Sequence, residues 1–234
     1  MSSPHPTPDT PDFDSNPDRF RVCSAMAYKY GVGDIHESVR DLIVSEGVQP
    51  VLDVGCGMGR LCRCLIDRGV SVVGLENSAT MLAEVPGSRI LGDARSMPFR
   101  DHWFGAAAAL YMLYYLPDPK EVLRECRRVL RPGGLFVAAT PSRENTPELH
   151  RLLPPRPSTF DSEDAPDMVR EFFEDVEVKT WDGPYTRLPD LKAVKEYLFG
   201  MGVAPEKCGE MALSLGAPLT ITNRGCMVWG RASS

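Results

Sequence analysis

The stretch Val51-Leu52-Asp53-Val54-Gly55-Cys56-Gly57-Met58-Gly59-Arg60-Leu61 decides the fold. Pro50 to Val54 is an apolar run of strand length, broken only by Asp53. It stops in a loop with glycine at every second position. Leu61, Leu65 and Ile66 then recur at helical spacing, and Gly69 closes the pattern. Strand, glycine loop and helix make the first half of a βαβ unit. Gly55, Gly57 and Gly59 lack a Cβ, so the loop can turn sharply and let a ligand lie against bare backbone. The N–H groups opening the next helix face the same place. Asp53 sits at the strand end, two residues before the first glycine. A carboxylate there suits a cationic ammonium group and sits poorly beside a pyrophosphate.

Two more strands repeat the arrangement. Val70 to Leu75 ends at Glu76, roughly 20 residues after the loop, where dinucleotide folds place a ribose-binding acid. Arg89 to Leu91 ends at Gly92-Asp93-Ala94. Three successive strands thus finish on a carboxylate, at the sheet edge where open α/β folds bind ligands. Phe104 to Leu110 reads as a fourth strand buried on both faces, with four alanines that let neighbours pack closely. Asp118 to Leu130 is an amphipathic helix stopped by Arg131-Pro132-Gly133-Gly134. Leu135 to Thr140 is a fifth strand, Val176 to Trp181 a sixth and Leu219 to Arg231 the last. Helices are expected over 36–46, 144–153, 162–173, 188–199 and 205–215, and a short one begins at Asn77-Ser78 with Ser78 as N-cap.

Four ordered stretches resemble the motifs of class I S-adenosylmethionine (SAM)-dependent methyltransferases: Val-Leu-Asp-Val-Gly-Cys-Gly-Met-Gly, Val-Val-Gly-Leu-Glu-Asn-Ser, Gly-Asp-Ala-Arg-Ser-Met-Pro-Phe and Leu-Arg-Pro-Gly-Gly-Leu-Phe. They lie within residues 51–136, and the resemblance extends over about 36–230. It implies an α/β, Rossmann-like, seven-stranded, mostly parallel sheet with helices on both faces, an antiparallel last strand and helical lid insertions. It also implies SAM as cofactor. By the same resemblance, Asp53 and Gly55 hold the methionine end, and Gly57 and Gly59 give the loop its close approach. Glu76 accepts both ribose hydroxyls. Asp93 and the backbone of Ala94 meet the adenine amino group, with Asn77 and Met81 nearby, and the backbone at Leu110 and Tyr111 lies beside the sulfonium. Met81 as simple core, Asp93 as a turn residue and Glu76 as a surface ion pair are the alternatives.

The resemblance makes residues 19–35 a lid in which Tyr28 or Tyr30 touches ligand; capping the core is the other reading. It makes residues 183–216 a helical cover between the last two strands, with Tyr185, Tyr197 and Phe199 as candidate walls; packing against the sheet edge is the other reading. Where family members often carry two histidines before Leu116-Pro117, this chain has Tyr114 and Tyr115, and where they have Asp after Phe104 it has Gly105. A catalytic base is therefore not evident. Tyr28, Tyr114, Tyr115 and His150 are weak candidates, and His36 reads as a solvated helix start.

The chain has 234 residues and a net charge of −6, which disfavours a nucleic-acid partner. No apolar run reaches the roughly 18 residues a membrane helix needs, and the start is not a secretory signal. The seven cysteines are scattered and the four histidines dispersed, so no metal site is expected and the thiols read as reduced and cytoplasmic. Residues 1–18, rich in proline, read as a disordered tail before one domain over 19–234. Methyl transfer to a small molecule, such as a natural-product intermediate, is the leading function. A non-methylating SAM-dependent reaction such as cyclisation, or a protein or RNA methyltransferase, is the alternative. Monomer and dimer stay open. Glu76→Ala and Asp93→Ala are expected to weaken SAM binding and spare the fold.

Overall fold

The computed structural model describes residues 17–153 and 158–233. Its elements run α1 (Pro17–Tyr30), α2 (Ile35–Glu46), β1 (Val51–Val54), α3 (Arg60–Ile66), β2 (Val72–Glu76), α4 (Ala79–Leu82), β3 (Ser88–Leu91), β4 (Phe104–Leu110), α5 (Pro119–Val129), β5 (Leu130–Pro141), α6 (Ala165–Arg170), β6 (Glu174–Leu188), α7 (Leu191–Gly200), α8 (Pro205–Leu215) and β7 (Leu219–Arg231). The seven strands form one sheet in the order β3-β2-β1-β4-β5-β7-β6. Pairing is parallel from β3 through β5, and β7 runs antiparallel to β5. This is the sheet that the class I resemblance implies. The strand order turns back at β1, which has β2 on one side and β4 on the other, so the carboxyl ends of these strands border a crevice.

Side chains alternate between the two faces of the strands. Leu52, Val54, Ala107, Ala109, Phe136 and Ala138 share a buried cluster with Val122, Leu123, Cys126 and Val129 of α5 and Val169 of α6. Val51, Ala106, Ala108, Leu135 and Val137 share another with Val39 and Ile43 of α2 and Leu61, Cys62 and Leu65 of α3. Asp53 falls on the second face, in step with Val51. The alanines of β4 keep the centre of the sheet thin, so helices close on both sides.

Two compact units are present. One is the sheet unit, residues 33–183 and 222–234; the other combines the chain up to residue 32 with residues 184–221. The expected lid and cover thus belong to one helical unit. Within it α1 packs on α7: a Cβ on Gly200 would lie 3.1 Å from the Cys23 Cα. The Arg19 guanidinium lies 5.6 Å from the centre of the Phe199 ring, and Gly31 bridges to Thr186.

Several boundaries differ from the sequence reading. Residues 17 and 18 open α1 and do not belong to a tail; residues 1–16 lie outside the described residues. Strand β2 starts at Val72, because the Val70 N–H is taken by Leu65 at the end of α3. Strand β5 starts at Leu130, which already pairs with Phe104. The helix over 162–173 is only α6, since the Asp161 carboxylate accepts the N–H groups of Glu163 and Asp164 and turns the chain there. A single 3-10 turn, Pro147–Leu149, replaces a helix over 144–153. Strand β6 continues to Leu188, so α7 begins at Leu191, where Asp190 caps it by accepting from Ala193 N–H at 2.8 Å. No helix among the described residues is long and apolar enough to cross a membrane.

Candidate functional site

The loop after β1 has Gly55, Gly57 and Gly59 all in the left-handed region, at φ 63°, 55° and 77°. L-residues with a Cβ avoid that region, which is why glycine alternates here. The Met112 side chain, arriving from the end of β4, lies against Gly55 where a Cβ would stand, 3.0 Å from its Cγ. Tyr111 beside it is itself left-handed at φ 54°, a conformation that costs a bulky residue about 1–2 kcal/mol. Its N–H bonds to the Ala139 carbonyl at 2.9 Å. Strain of this kind persists where surroundings impose it and concentrates at ligand sites. Leu110 and Tyr111 are both half-buried.

Asp53 is 3% exposed. The Cys62 thiol of α3 donates to its Oδ2 at 3.3 Å. Burial, with the Glu76 charge adding to it and the Cys62 contact only partly opposing, pushes the Asp53 carboxyl up to about 7. A thiol is a weak donor, and among the described residues this buried carboxylate has no cationic partner.

Glu76 is also buried, and its carboxylate ties the loop to the end of β2. Oε2 accepts the Gly57 N–H at 2.9 Å. Oε1 accepts those of Asn77 at 2.9 Å and Ser78 at 3.0 Å. Two oxygens offer about four acceptor sites, so capacity remains for a hydroxyl. The surface ion-pair alternative for Glu76 does not describe this residue. Ser78 caps α4, accepting from Met81 N–H at 3.2 Å. Met81 is buried and Asn77 exposed.

Asp93 is held by its neighbour. Arg95 donates through Nε and Nη2, and its N–H reaches Oδ1 at 2.8 Å. The hydrogen bonds from Arg95 hold the Asp93 carboxyl below the usual range, against its partial burial. The turn reading of Asp93 is thus present in the structure, and Ala94 follows it half-buried.

His36 is half-buried and paired rather than fully solvated: its Nδ1 lies 2.9 Å from Asp34 Oδ1. Asp34 also caps α2 through the His36 N–H at 2.9 Å and takes the Arg60 guanidinium at 2.7 Å on Oδ2. Burial acts to raise the Asp34 carboxyl, but the His36 hydrogen bond and charge and the Arg60 charge more than offset it, holding it well below the usual carboxylate range. The stabilisation is therefore present above about pH 4, the unfolded value, and is lost only as pH falls further. Asp34→Ala is expected to cost about 1–2 kcal/mol, as loss of an N-cap does, read by urea unfolding at pH 7. A change under about 0.3 kcal/mol would contradict that role.

The remaining candidates fall in different places. Tyr114 and Tyr115 share the 3-10 turn after β4, with ring centres 4.4 Å and hydroxyls 3.5 Å apart. His150 Nε2 faces the Asn145 carbonyl at 2.9 Å, so that nitrogen carries the proton and cannot accept another. Tyr28 belongs to the helical unit, where it is 81% exposed. Among the described residues no cluster of His, Cys, Asp or Glu could hold a metal. Sequence reasoning missed Cys62, Arg95 and Met112. For Cys62 a signal existed, since a buried strand-end carboxylate needs a donor and the first turn of the following helix is nearest.

The comparisons agree with this geometry. Residues 52–138 match the family model described as "Methyltransferase domain". The chain is 33% identical over 129 residues to demethylmenaquinone methyltransferase of Thermotoga maritima, 52% of each chain. It is 35% identical over 107 residues to a sterol 4-C-methyltransferase of Caenorhabditis elegans, 41% of this chain and 32% of that one. The matches thus span between about a third and a half of these relatives' lengths. The crystal structure of the [4+2]-cyclase SpnF superposes with a TM-score of 0.62 at 19% identity over 95% of each chain, a likeness of fold alone. The sheet order is that of the class I methyltransferase Rossmann-like fold, and the match to the methyltransferase domain lies on its glycine loop and central strands.

Proposed function

We propose that the protein transfers a methyl group from SAM to a small organic acceptor. The observation that favours this most is Asp53, a buried carboxylate at the end of β1 with no cationic partner among the described residues, beside a left-handed glycine loop tied to Glu76. Asp53 meets the α-ammonium of SAM, and the backbone of Gly55, Gly57 and Gly59 allows close approach. Glu76 accepts a ribose hydroxyl on the acceptor site that its three backbone donors leave. Ala94 N–H, Asp93, Asn77 and Met81 border the adenine, with Asp93 kept in place by Arg95. The backbone at Leu110 and Tyr111 fixes the wall beside the sulfur. When bound, SAM supplies an electrophilic methyl group on sulfur. The chain's task is then to hold the acceptor in line and dry, which in favourable cases is worth about 7–11 kcal/mol.

Tyr114 and Tyr115 are phenols able to hold a proton near an acceptor hydroxyl. The names of the relatives point to quinones and sterols, so an apolar ring-bearing acceptor is the first class to test; a natural-product intermediate is the narrower form of the same reading. Incubation with SAM and a panel of quinols, phenols and sterols, followed by mass spectrometry, tests it. One acceptor gaining a methyl group with equimolar S-adenosylhomocysteine is the expected result. A changed acceptor without S-adenosylhomocysteine would replace methyl transfer by a reaction such as ring closure.

A further inference from the structure

The buried thiol on Asp53 has no part in the roles above. Cys62 is fully buried in the first turn of α3, on the face of the sheet to which Asp53 points. It is 3.3 Å from Oδ2, and its sulfur shares the space over Gly74 with that of Cys56, where a Cβ would lie 3.3 Å and 2.8 Å from the two sulfurs. The groups acting on Asp53 are Cys62 from α3 and Glu76 from the end of β2. Cys56 of the loop acts through its contact with Cys62. The β4 residues level with Asp53 are alanines, 107 to 109. No cation is among these groups.

We infer that Cys62 is a positioning residue for the cofactor's amino-acid end: its thiol fixes the orientation of the Asp53 carboxylate, yet as a weak donor leaves it in need of the incoming ammonium. This rests on the cofactor reading proposed above. A serine at 62 would donate a stronger hydrogen bond and stabilise the anion before any ligand arrives. A valine would remove the side-chain donor, leave the backbone N–H of residue 62 in place, and favour the protonated carboxyl. The thiol lies between, so Asp53 takes up a proton in mildly acidic solution and gives it up when an ammonium binds.

The sign follows from the raised carboxyl. A group protonated below about pH 7 must release its proton to pair with a cation, so affinity falls as pH falls through that region. Calorimetric titration with S-adenosylhomocysteine, which carries the ammonium, is compared with 5′-methylthioadenosine, which lacks the amino-acid end. From pH 7.5 to 5.5 the wild-type protein is expected to lose roughly 20-fold in affinity for the first and little for the second. In Cys62→Ser the fall moves to lower pH and shrinks below roughly 5-fold. In Cys62→Val it moves to higher pH, and binding at pH 7.5 weakens. Retained 5′-methylthioadenosine binding in both variants shows that the site is folded; a packing role alone would weaken both ligands together and leave the pH profile for S-adenosylhomocysteine where it is. A flat wild-type profile for S-adenosylhomocysteine, or profiles unmoved by both substitutions, overturns the inference. Binding of neither ligand by the wild-type protein overturns the cofactor reading itself.

Discussion

Glu76→Gln is expected to lower stability by about 1–3 kcal/mol and to weaken S-adenosylhomocysteine binding at least tenfold, although the side chain keeps its shape. Both carboxylate oxygens accept backbone N–H groups, Oε2 from Gly57 and Oε1 from Asn77 and Ser78. An amide replaces one oxygen by NH2, so a donor must face a donor whichever way the amide turns. Leaving a buried donor unsatisfied costs about 1–3 kcal/mol. Glu76→Ala strands all three donors and should cost more, about 2–4 kcal/mol. The sequence reading, in which Glu76→Ala spares the fold, is corrected by these three bonds. Asp93→Ala keeps that form: Asp93 is exposed and its side chain is held by the neighbouring Arg95, so cofactor affinity is the sensitive quantity. Urea unfolding alongside titration separates the two effects. A Glu76→Gln protein as stable as the wild type would contradict the bonding.

Gly59→Ala is expected to be at least as damaging, about 2–4 kcal/mol, with the loop displaced. Gly59 sits at φ 77°, where a Cβ costs about 1–2 kcal/mol. That Cβ would also lie 2.9 Å from Pro86 Cδ and 3.1 Å from the Val85 Cα, a backbone atom that cannot swing away. Strain and overlap add, since relieving one worsens the other. Gly47, at φ 63° with open space around it, is the control: alanine there carries the conformational cost alone. Equal losses at 59 and 47 would show that the contact with residues 85 and 86 is unimportant.

Much of this was legible in the sequence for definite reasons. The glycine loop, the carboxylates at three strand ends and the buried alanine strand are local patterns, and local patterns survive folding. The Ser78 cap follows from one side chain and the amide just beyond it, and it is observed. What the sequence hid are contacts between distant segments. Cys62 reaches Asp53 because strand alternation and the position of α3 bring them together. Arg60 joins Asp34 across 26 residues, and Met112 covers Gly55 from the neighbouring strand. Asp161 shows a different failure: its carboxylate takes amides that the helical pattern over 162–173 assigned to the helix. The union of residues 17–32 with 184–221 in one unit had no local signal at all.

The most direct test of the cofactor assignment is calorimetric titration of the wild-type protein and Asp53→Ala with S-adenosylhomocysteine at pH 7.5. One site per chain is expected, with affinity at least a hundredfold weaker in Asp53→Ala while its unfolding remains cooperative. No binding by folded wild-type protein, or equal binding by both, would contradict the placement of the amino-acid end on Asp53.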